Sequence, residues 1–232
     1  MRTFFFALML WSCIFSSGFS VEAAELPVDH HSVRLEITPE NHKMSGESLI
    51  TFDSPIKQSL EFYIHSNVVV STITKGVSLT HLKSSNQYGY QKYLMEFQAE
   101  LSQVKLAFHG EIYDNPFDGD SRGLISEEGV VLFTGSFWAP IFEDRLIKYD
   151  LKVSVAAPGW EVVSNGQKIA TIKEKNQTLS HWISLVPQDD FYLMAGPFKT
   201  YSKEQNGITA EVLLRSEDQA LADKFIDVTH SY

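Results

Sequence analysis

The sequence predicts an all-β fold: an antiparallel β-sandwich or saddle-like sheet domain that ends in a C-terminal helix. Two observations support this prediction. Apolar and polar residues alternate with a period of two in many short runs, and turn sequences rich in glycine and asparagine separate the runs. The chain of 232 residues is 44% hydrophobic, which suffices for a buried core, and its length fits one large β domain or two small ones.

The first residues, 1–23, are predicted to be a secretory signal peptide. A short basic start is followed by an apolar run over residues 4–15, which is too short to span a bilayer. Val21 and Ala23 place small side chains at the two positions that signal peptidase reads. We therefore expect a secreted or periplasmic protein that is cut after Ala23 and then has no transmembrane segment.

The single cysteine, Cys13, lies inside this predicted signal. Residues 10–13 read Leu-Trp-Ser-Cys and loosely match a lipobox, so a lipoprotein anchored through Cys13 is the alternative, which Trp11 disfavours. If the signal is removed after Ala23, the mature chain can form neither a disulfide nor a thiolate metal site.

Strand patterns begin soon after the signal. Apolar side chains alternate through residues 33–37, 60–64 and 149–155. Asn-Gly at 206–207, with strand-like runs on both sides, predicts a hairpin. Because no linker interrupts the pattern, we expect one β domain over residues 24–214. Further strands are predicted at 47–52, 68–74, 92–97, 104–109, 129–133, 178–186, 191–195 and 208–214.

Residues 215–232 are predicted to form the C-terminal helix. Residues 216–219 fit a capping box, with serine first and glutamine last. Leu221, Phe225 and Val228 then recur at helical spacing. No glycine stop follows, so we expect the helix to lead into a further domain, without which these three apolar side chains stay exposed. The alternative is that the helix folds back on the sheet.

The formal net charge of −10 gives nucleic-acid binding no electrostatic support. The sequence contains no H-E-x-x-H, no G-x-S-x-G and no phosphate loop. His30 and His31 are expected to be a mobile, solvated pair, with metal binding as the alternative. His65, His109 and His181 stand alone in strand-like runs and are expected to be structural. We therefore expect no cofactor and no catalytic or metal-binding residue in this chain.

One acidic stretch could hold calcium on oxygen ligands. Pro116 and Ile125 occupy positions where an EF-hand has ligands, so a solvated loop is the expected interpretation. Its carboxylates are Asp114, Asp118, Asp120, Glu127 and Glu128.

The most distinctive motifs lie between residues 129 and 166. They read Gly-Val-Val-Leu-Phe-Thr-Gly-Ser-Phe-Trp-Ala-Pro at 129–140, Tyr-Asp-Leu-Lys-Val at 149–153, Pro-Gly-Trp at 158–160 and Val-Ser-Asn-Gly at 163–166. An opening hairpin at 33–52 precedes them, and Ala-Gly-Pro-Phe follows at 195–198. In this order the motifs resemble the N-terminal β domain of the M1 family of zinc aminopeptidases, across nearly the whole mature chain.

The resemblance implies that the chain is a scaffold and forms one wall of a substrate cleft. The family's zinc motif, H-E-x-x-H with a distal Glu, and its G-x-M-E-N motif belong to the next domain, and neither occurs here. The resemblance therefore implies that zinc is bound in a missing downstream catalytic domain. That domain and peptide substrates would be the partners of this chain. The full-length parent is then expected to be a zinc-dependent aminopeptidase, and the chain alone is expected to be inactive.

The family's N-terminal domain usually places a Gln or Glu beside the aromatic-proline loop, where it helps to hold the amino terminus of the substrate. This sequence has neither and is therefore a divergent branch. The residues at the matching loop, Gly135, Ser136, Phe137 and Trp138, are the candidates for lining the cleft.

The alternative function is that of a free-standing secreted β-sandwich that binds carbohydrate or protein. Trp138, Trp160 and Trp182 would then be stacking residues, whereas the simpler interpretation is that all three pack in the core.

Overall fold

The computed structural model describes residues 28–85, 88–114, 123–142 and 146–231. Within them the chain forms strands almost throughout and one helix, α1 (Gln219–His230). The strands are β1 (Val28–Thr38), β2 (Lys43–Ile56), β3 (Leu60–His65), β4 (Val68–Thr72), β5 (Val77–Ser85), β6 (Tyr90–Phe97), β7 (Leu101–Glu111), β8 (Gly123–Ser126), β9 (Gly129–Leu132), β10 (Lys148–Val155), β11 (Glu161–Ser164), β12 (Gln167–Lys173), β13 (Thr178–Ile183), β14 (Leu193–Gly196), β15 (Lys199–Gln205) and β16 (Ile208–Leu214).

A seven-stranded sheet in the order β12-β13-β10-β1-β2-β7-β4 is the largest layer. Its pairs are antiparallel except β1 with β10, which run parallel with Arg34 opposite Lys152. Strands β2 to β9 lie between these two strands in sequence, and a connection of that length permits parallel pairing. The predicted antiparallel β domain is thus confirmed, with one parallel pair inside it.

Two smaller sheets share a hydrophobic core with the large one. They have the orders β3-β6-β5 and β11-β14-β9-β8. Leu35 of β1, Phe62 of β3 and Leu193 of β14 all belong to one buried cluster. The period-two pattern explains this buried cluster, because alternate residues along a strand point to the core and the residues between them point to solvent.

A hairpin of β15 and β16 supports the helix. Its turn residues Asn206 and Gly207 have φ values of 54° and 76°, as expected for an Asn-Gly hairpin turn. Ala222 and Ile226 of α1 are buried, and the helix contacts both strands of this hairpin.

The helix starts later than the sequence suggested. Its N-cap is Asp218, whose side chain accepts a hydrogen bond from the Leu221 backbone N–H at 2.9 Å. Ser216 lies two residues before this cap, so the prediction that Ser216 caps the helix was wrong. Asp and Ser are about equally good caps, so local sequence could not separate them.

Several predictions fall outside the described residues. These are the signal peptide at 1–23, the lipobox at Cys13, and residues 115–122 of the acidic stretch. Among the described residues, no helix has the length and apolar character needed to cross a bilayer.

Candidate functional site

The candidate loop follows β9 and begins with a 3₁₀ turn, Thr134–Ser136. The Thr134 backbone N–H and hydroxyl both donate to Oδ1 of Asp190. The Ser136 hydroxyl accepts from the Phe133 N–H at 3.0 Å, and its side chain is fully buried. These contacts attach the loop to the end of the four-stranded sheet.

Trp138 is a core residue and not part of an open surface. It is 0% exposed, and its indole Nε1–H donates to the Phe191 carbonyl at 3.1 Å. Its ring lies 4.6 Å from the Phe191 ring, measured between centroids. Of the four predicted cleft residues, the structure buries Ser136 and Trp138 and leaves Gly135 and Phe137 partly exposed.

Phe137 has an uncommon backbone conformation. Its φ of 50° and ψ of 33° lie in the left-handed region, which a bulky residue rarely occupies. The strain is held by two hydrogen bonds: the Phe137 N–H donates to the Thr134 carbonyl, and the Phe137 carbonyl accepts from the His65 N–H at 2.6 Å. Strained positions of this kind concentrate at functional sites.

The partly exposed ring of Phe137 belongs to an aromatic cluster formed with Tyr63, Tyr88 and Tyr90. Its centroid lies 5.3 Å from the ring of Tyr90 and 5.9 Å from that of Tyr63. Tyr88 stacks beyond Tyr90 at 6.4 Å and is 54% exposed. The cluster gives this edge of the molecule an apolar, ring-lined surface that can receive apolar side chains.

Sequence reasoning did not identify the three tyrosines of this aromatic cluster. Tyr63 lies on β3 and Tyr90 on β6, far from Phe137 in sequence, and pairing of β3 with β6 brings them together. Aromatic density at residues 88–93 was the available signal.

His65 supports the neighbouring turn. Its Nδ1 accepts from the Asn67 N–H at 3.1 Å, and its Nε2 lies 3.8 Å from Oδ2 of Asp114. The Gln91 amide adds donations to three backbone carbonyls of this segment, including that of Ser66 at 2.7 Å. His65 is thus structural, as the sequence predicted.

His31 contradicts the expectation of a mobile, solvated pair. It lies inside β1 and is fully buried, and its Nε2 is hydrogen-bonded to the Ser48 hydroxyl. Burial, with a smaller contribution from His30, lowers the pKa of His31 to about 3. The strand starts earlier than predicted, so His31 is in phase with the inward-facing residues Val33 and Leu35.

Tyr149 lies at the same buried place. Its ring stacks on Phe191 at 4.0 Å and lies 5.9 Å from the ring of His31. Burial, and then the negative charges of Asp190 and Asp189, raise the pKa of the Tyr149 hydroxyl above its usual value. Tyr149 is therefore neutral and helps to enclose His31.

The tryptophans that the carbohydrate-binding alternative requires are not displayed. Trp138, Trp160 and Trp182 are 0%, 8% and 6% exposed, so the core interpretation is correct and the stacking role is wrong. Within the described ranges, no three His, Cys, Asp or Glu side chains are placed to hold a metal ion.

The fold is similar to that of solved zinc peptidases. The structure of an M1 zinc metallopeptidase from Deinococcus radiodurans aligns with this chain at 13% sequence identity and a TM-score of 0.57. The alignment covers 79% of this chain and 46% of the metallopeptidase chain. Another structure of that enzyme, bound to the substrate Tyr-Ser-Ala, matches with a TM-score of 0.56. An aminopeptidase N family protein from Idiomarina loihiensis matches over 83% of this chain and 34% of its own, with 10% identity and a TM-score of 0.55.

The chain thus spans less than half of the length of the solved structures it matches. No protein-family profile and no curated protein matches the sequence. At these identities the similarity concerns the fold, and at that level the resemblance expected from the sequence motifs is confirmed.

Proposed function

We propose that this chain is the N-terminal, non-catalytic domain of an exported M1-like zinc metallopeptidase. In that protein it is a scaffold and forms one wall of the substrate cleft. Three features support the proposal: the fold, the order of the sequence motifs, and the fraction of the matched structures that the chain covers.

The observation that carries the proposal is an exposed apolar stripe on α1. Leu221, Phe225 and Val228 recur on one side of the helix and are 38%, 49% and 47% exposed. The helix already packs on its hairpin through Ala222 and Ile226. A helix in a complete globular protein buries its apolar stripe, so this one fits the interface with a further domain.

We assign the zinc and the catalytic residues to that further domain. Among the described residues no three His, Cys, Asp or Glu side chains are placed to hold a metal ion, and the mature chain has no cysteine if the signal is cut after Ala23. A catalytic zinc needs three protein ligands and an open position for water. This donor set does not fit zinc, so the chain's own contribution is shape and apolar surface.

Gly135 and Phe137, backed by the aromatic cluster, are the residues that we place on the cleft wall. Their loop is fixed to the sheet by Asp190 and to β3 by the His65 N–H. A wall of this kind favours peptides whose first residues are apolar, because the aromatic cluster presents rings to them. The alternative function, a free-standing module that binds carbohydrate or protein, has no comparable support, because the tryptophans it would use for stacking are buried.

The experiment is an association assay between this chain and the separately expressed downstream region of its gene. We expect a stable complex on size-exclusion chromatography, weakened about tenfold or more by Phe225→Ser, because the exposed ring lies in the interface. Asp223→Ser, at an exposed position on the other side of the helix, is the control and should bind normally. A stop codon directly after Tyr232, or equal binding by both variants, would overturn the proposal.

A further inference from the structure

The solvent face of the seven-stranded sheet holds two positively charged side chains next to each other. Arg34 of β1 and Lys152 of β10 are directly opposite in the parallel register of these strands, and both are exposed. Adjacent strands lie about 4.8 Å apart, so the two side chains start from neighbouring positions. Like charges held this close repel each other, and the pair therefore lowers the stability of the fold.

The chain itself does not neutralise these two charges. Among the residues with described positions, Arg34 and Lys152 have no ion pair and no side-chain hydrogen bond. Glu47 lies opposite Arg34 on β2, but its carboxylate is 2.8 Å from a lysine ammonium on β7. The Asp150 carboxylate is hydrogen-bonded to Nε2 of His181 at 3.0 Å. Both carboxylates are engaged with other partners, so the two cations remain available to an anion from outside the chain.

A groove of about 300 Å³ lies beside the two cations on the same face. Its other end is apolar, because Ile172 of the edge strand β12 lies opposite Leu179 of β13, and Ala170 lines the same end. Ile172 is 55% exposed. Small-molecule sites have volumes of roughly 300–1,000 Å³ and combine apolar walls with a few placed polar groups. This sheet groove, cationic at β1 and β10 and apolar at β12 and β13, has that composition.

The charges that line the sheet groove set the charge of its ligand. Glu36 also lines it, two residues from Arg34 on the same face of β1. The two cations and this one carboxylate leave a single positive charge, and His181 in the lining is engaged with Asp150. A monoanion balances that charge. A carboxylate is the fitting head group, because a guanidinium presents a planar fork of donors that matches its two oxygens.

We propose that the sheet groove binds a small amphiphilic carboxylate, a site that goes beyond the proposed function. The carboxylate lies between Arg34 and Lys152, where it removes the repulsion between them. The hydrocarbon body covers Leu179 and Ile172, whose apolar surface leaves water on binding. A groove of this volume suits one short hydrocarbon chain, so the source of the ligand is a free acid and not a membrane surface.

Calorimetric titration of the protein with octanoate tests the inference. Octanol, which has the chain without the charge, and acetate, which has the charge without the chain, are the matched ligands. We expect octanoate to bind at one site per chain, and octanol and acetate to bind at least about tenfold more weakly, because each lacks one of the two interactions. Sedimentation with vesicles of anionic phospholipid is the arm that tests a membrane surface, and we expect no binding there.

Substitutions in the sheet groove separate the two ends. Lys152→Gln and Ile172→Ser should each weaken octanoate binding about tenfold. Glu36→Gln should tighten it, because a carboxylate that repels the ligand is removed. Lys75→Gln, at an exposed turn position between β4 and β5, is the control and should bind as the wild type does.

The melting temperature without ligand gives a second measurement that does not depend on binding. Lys152→Gln should melt at a higher temperature than the wild type, because it removes the repulsion from Arg34. Lys75→Gln should leave the melting temperature unchanged. A lower melting temperature in Lys152→Gln would overturn the repulsion on which the inference rests.

Three results of the titrations would contradict the site. Octanol that binds as tightly as octanoate would show that the cations take no part. Unchanged octanoate binding in Lys152→Gln and Ile172→Ser would show that the acid adsorbs elsewhere. Vesicle binding without octanoate binding would identify the face as a membrane contact. Each of these results would overturn the sheet groove as a carboxylate site and leave the proposed function standing.

Discussion

The buried imidazole of His31 is hydrogen-bonded through Nε2 to the hydroxyl of Ser48, on the adjacent strand β2. The rings of Phe142, Tyr149 and Phe191 surround it, and its Nδ1 has no hydrogen-bond partner among the residues with described positions. A charged imidazole at this place would be almost unsolvated, so the folded protein holds His31 neutral.

Acid should therefore destabilise the fold through His31. The pKa of His31 is about 3 in the folded protein against an ordinary value of 6.5. Between these two pH values the unfolded chain therefore binds a proton at His31 that the folded chain does not bind. The contribution of His31 to the free energy of unfolding is fully present above pH 6.5. It is lost as the pH falls towards 3, by up to about 1.4 kcal/mol per pH unit.

Urea unfolding at pH 7 and pH 5 measures this effect. His31→Asn removes the titration, so the wild type should lose about 2 kcal/mol more than this variant between the two pH values. His81→Asn, at an exposed position on β5, is the control and should behave as the wild type does. An identical pH dependence of the wild type and His31→Asn would contradict the assignment.

Removing the helix cap should loosen α1. Asp218→Ala leaves the Leu221 N–H without its side-chain acceptor, and we expect a loss of about 1 kcal/mol. Ser216→Ala should change the free energy of unfolding by only a few tenths of a kcal/mol. Hydrogen exchange of the first α1 amides reports the loss directly, and equal effects of the two substitutions would show that the cap is misassigned.

How much the sequence could predict depends on how local the determinants are. The strands and the Asn206-Gly207 hairpin follow from period-two alternation and turn chemistry. His31 was missed although the alternation of Val33 and Leu35 runs back through it. The contact of Phe137 with Tyr90 could not be predicted, because it needs a left-handed backbone and a pairing between distant strands. The parallel pairing of β1 with β10 is similarly non-local.

The proposed place of Phe137 on the cleft wall predicts that truncating its side chain impairs peptide recognition by the full-length protein. Loss of the ring removes apolar contact from the cleft wall, so Phe137→Ala should lower kcat/KM for peptides with an apolar first residue about tenfold, mainly through KM. Val69→Ala, at a 59% exposed position on another sheet, is the control and should have no effect. Unchanged kinetics in Phe137→Ala would remove Phe137 from the cleft.

Export should remove the predicted signal peptide. The basic start, the short apolar run and the small residues Val21 and Ala23 predict a mature chain that begins at or near Ala24. Intact-mass spectrometry of the exported protein tests this. A retained Met1, or a lipid on Cys13, would contradict it.

The most direct test of the central claim compares the isolated chain with the full-length protein in one assay of zinc content and aminoacyl-reporter hydrolysis. We expect no stoichiometric zinc and no hydrolysis by the isolated chain. The full-length protein should hold about one zinc and lose its activity to a chelator. Chelator-sensitive hydrolysis by the isolated chain would contradict the proposed function, because catalysis would then lie in a chain that is assigned only the roles of scaffold and cleft wall.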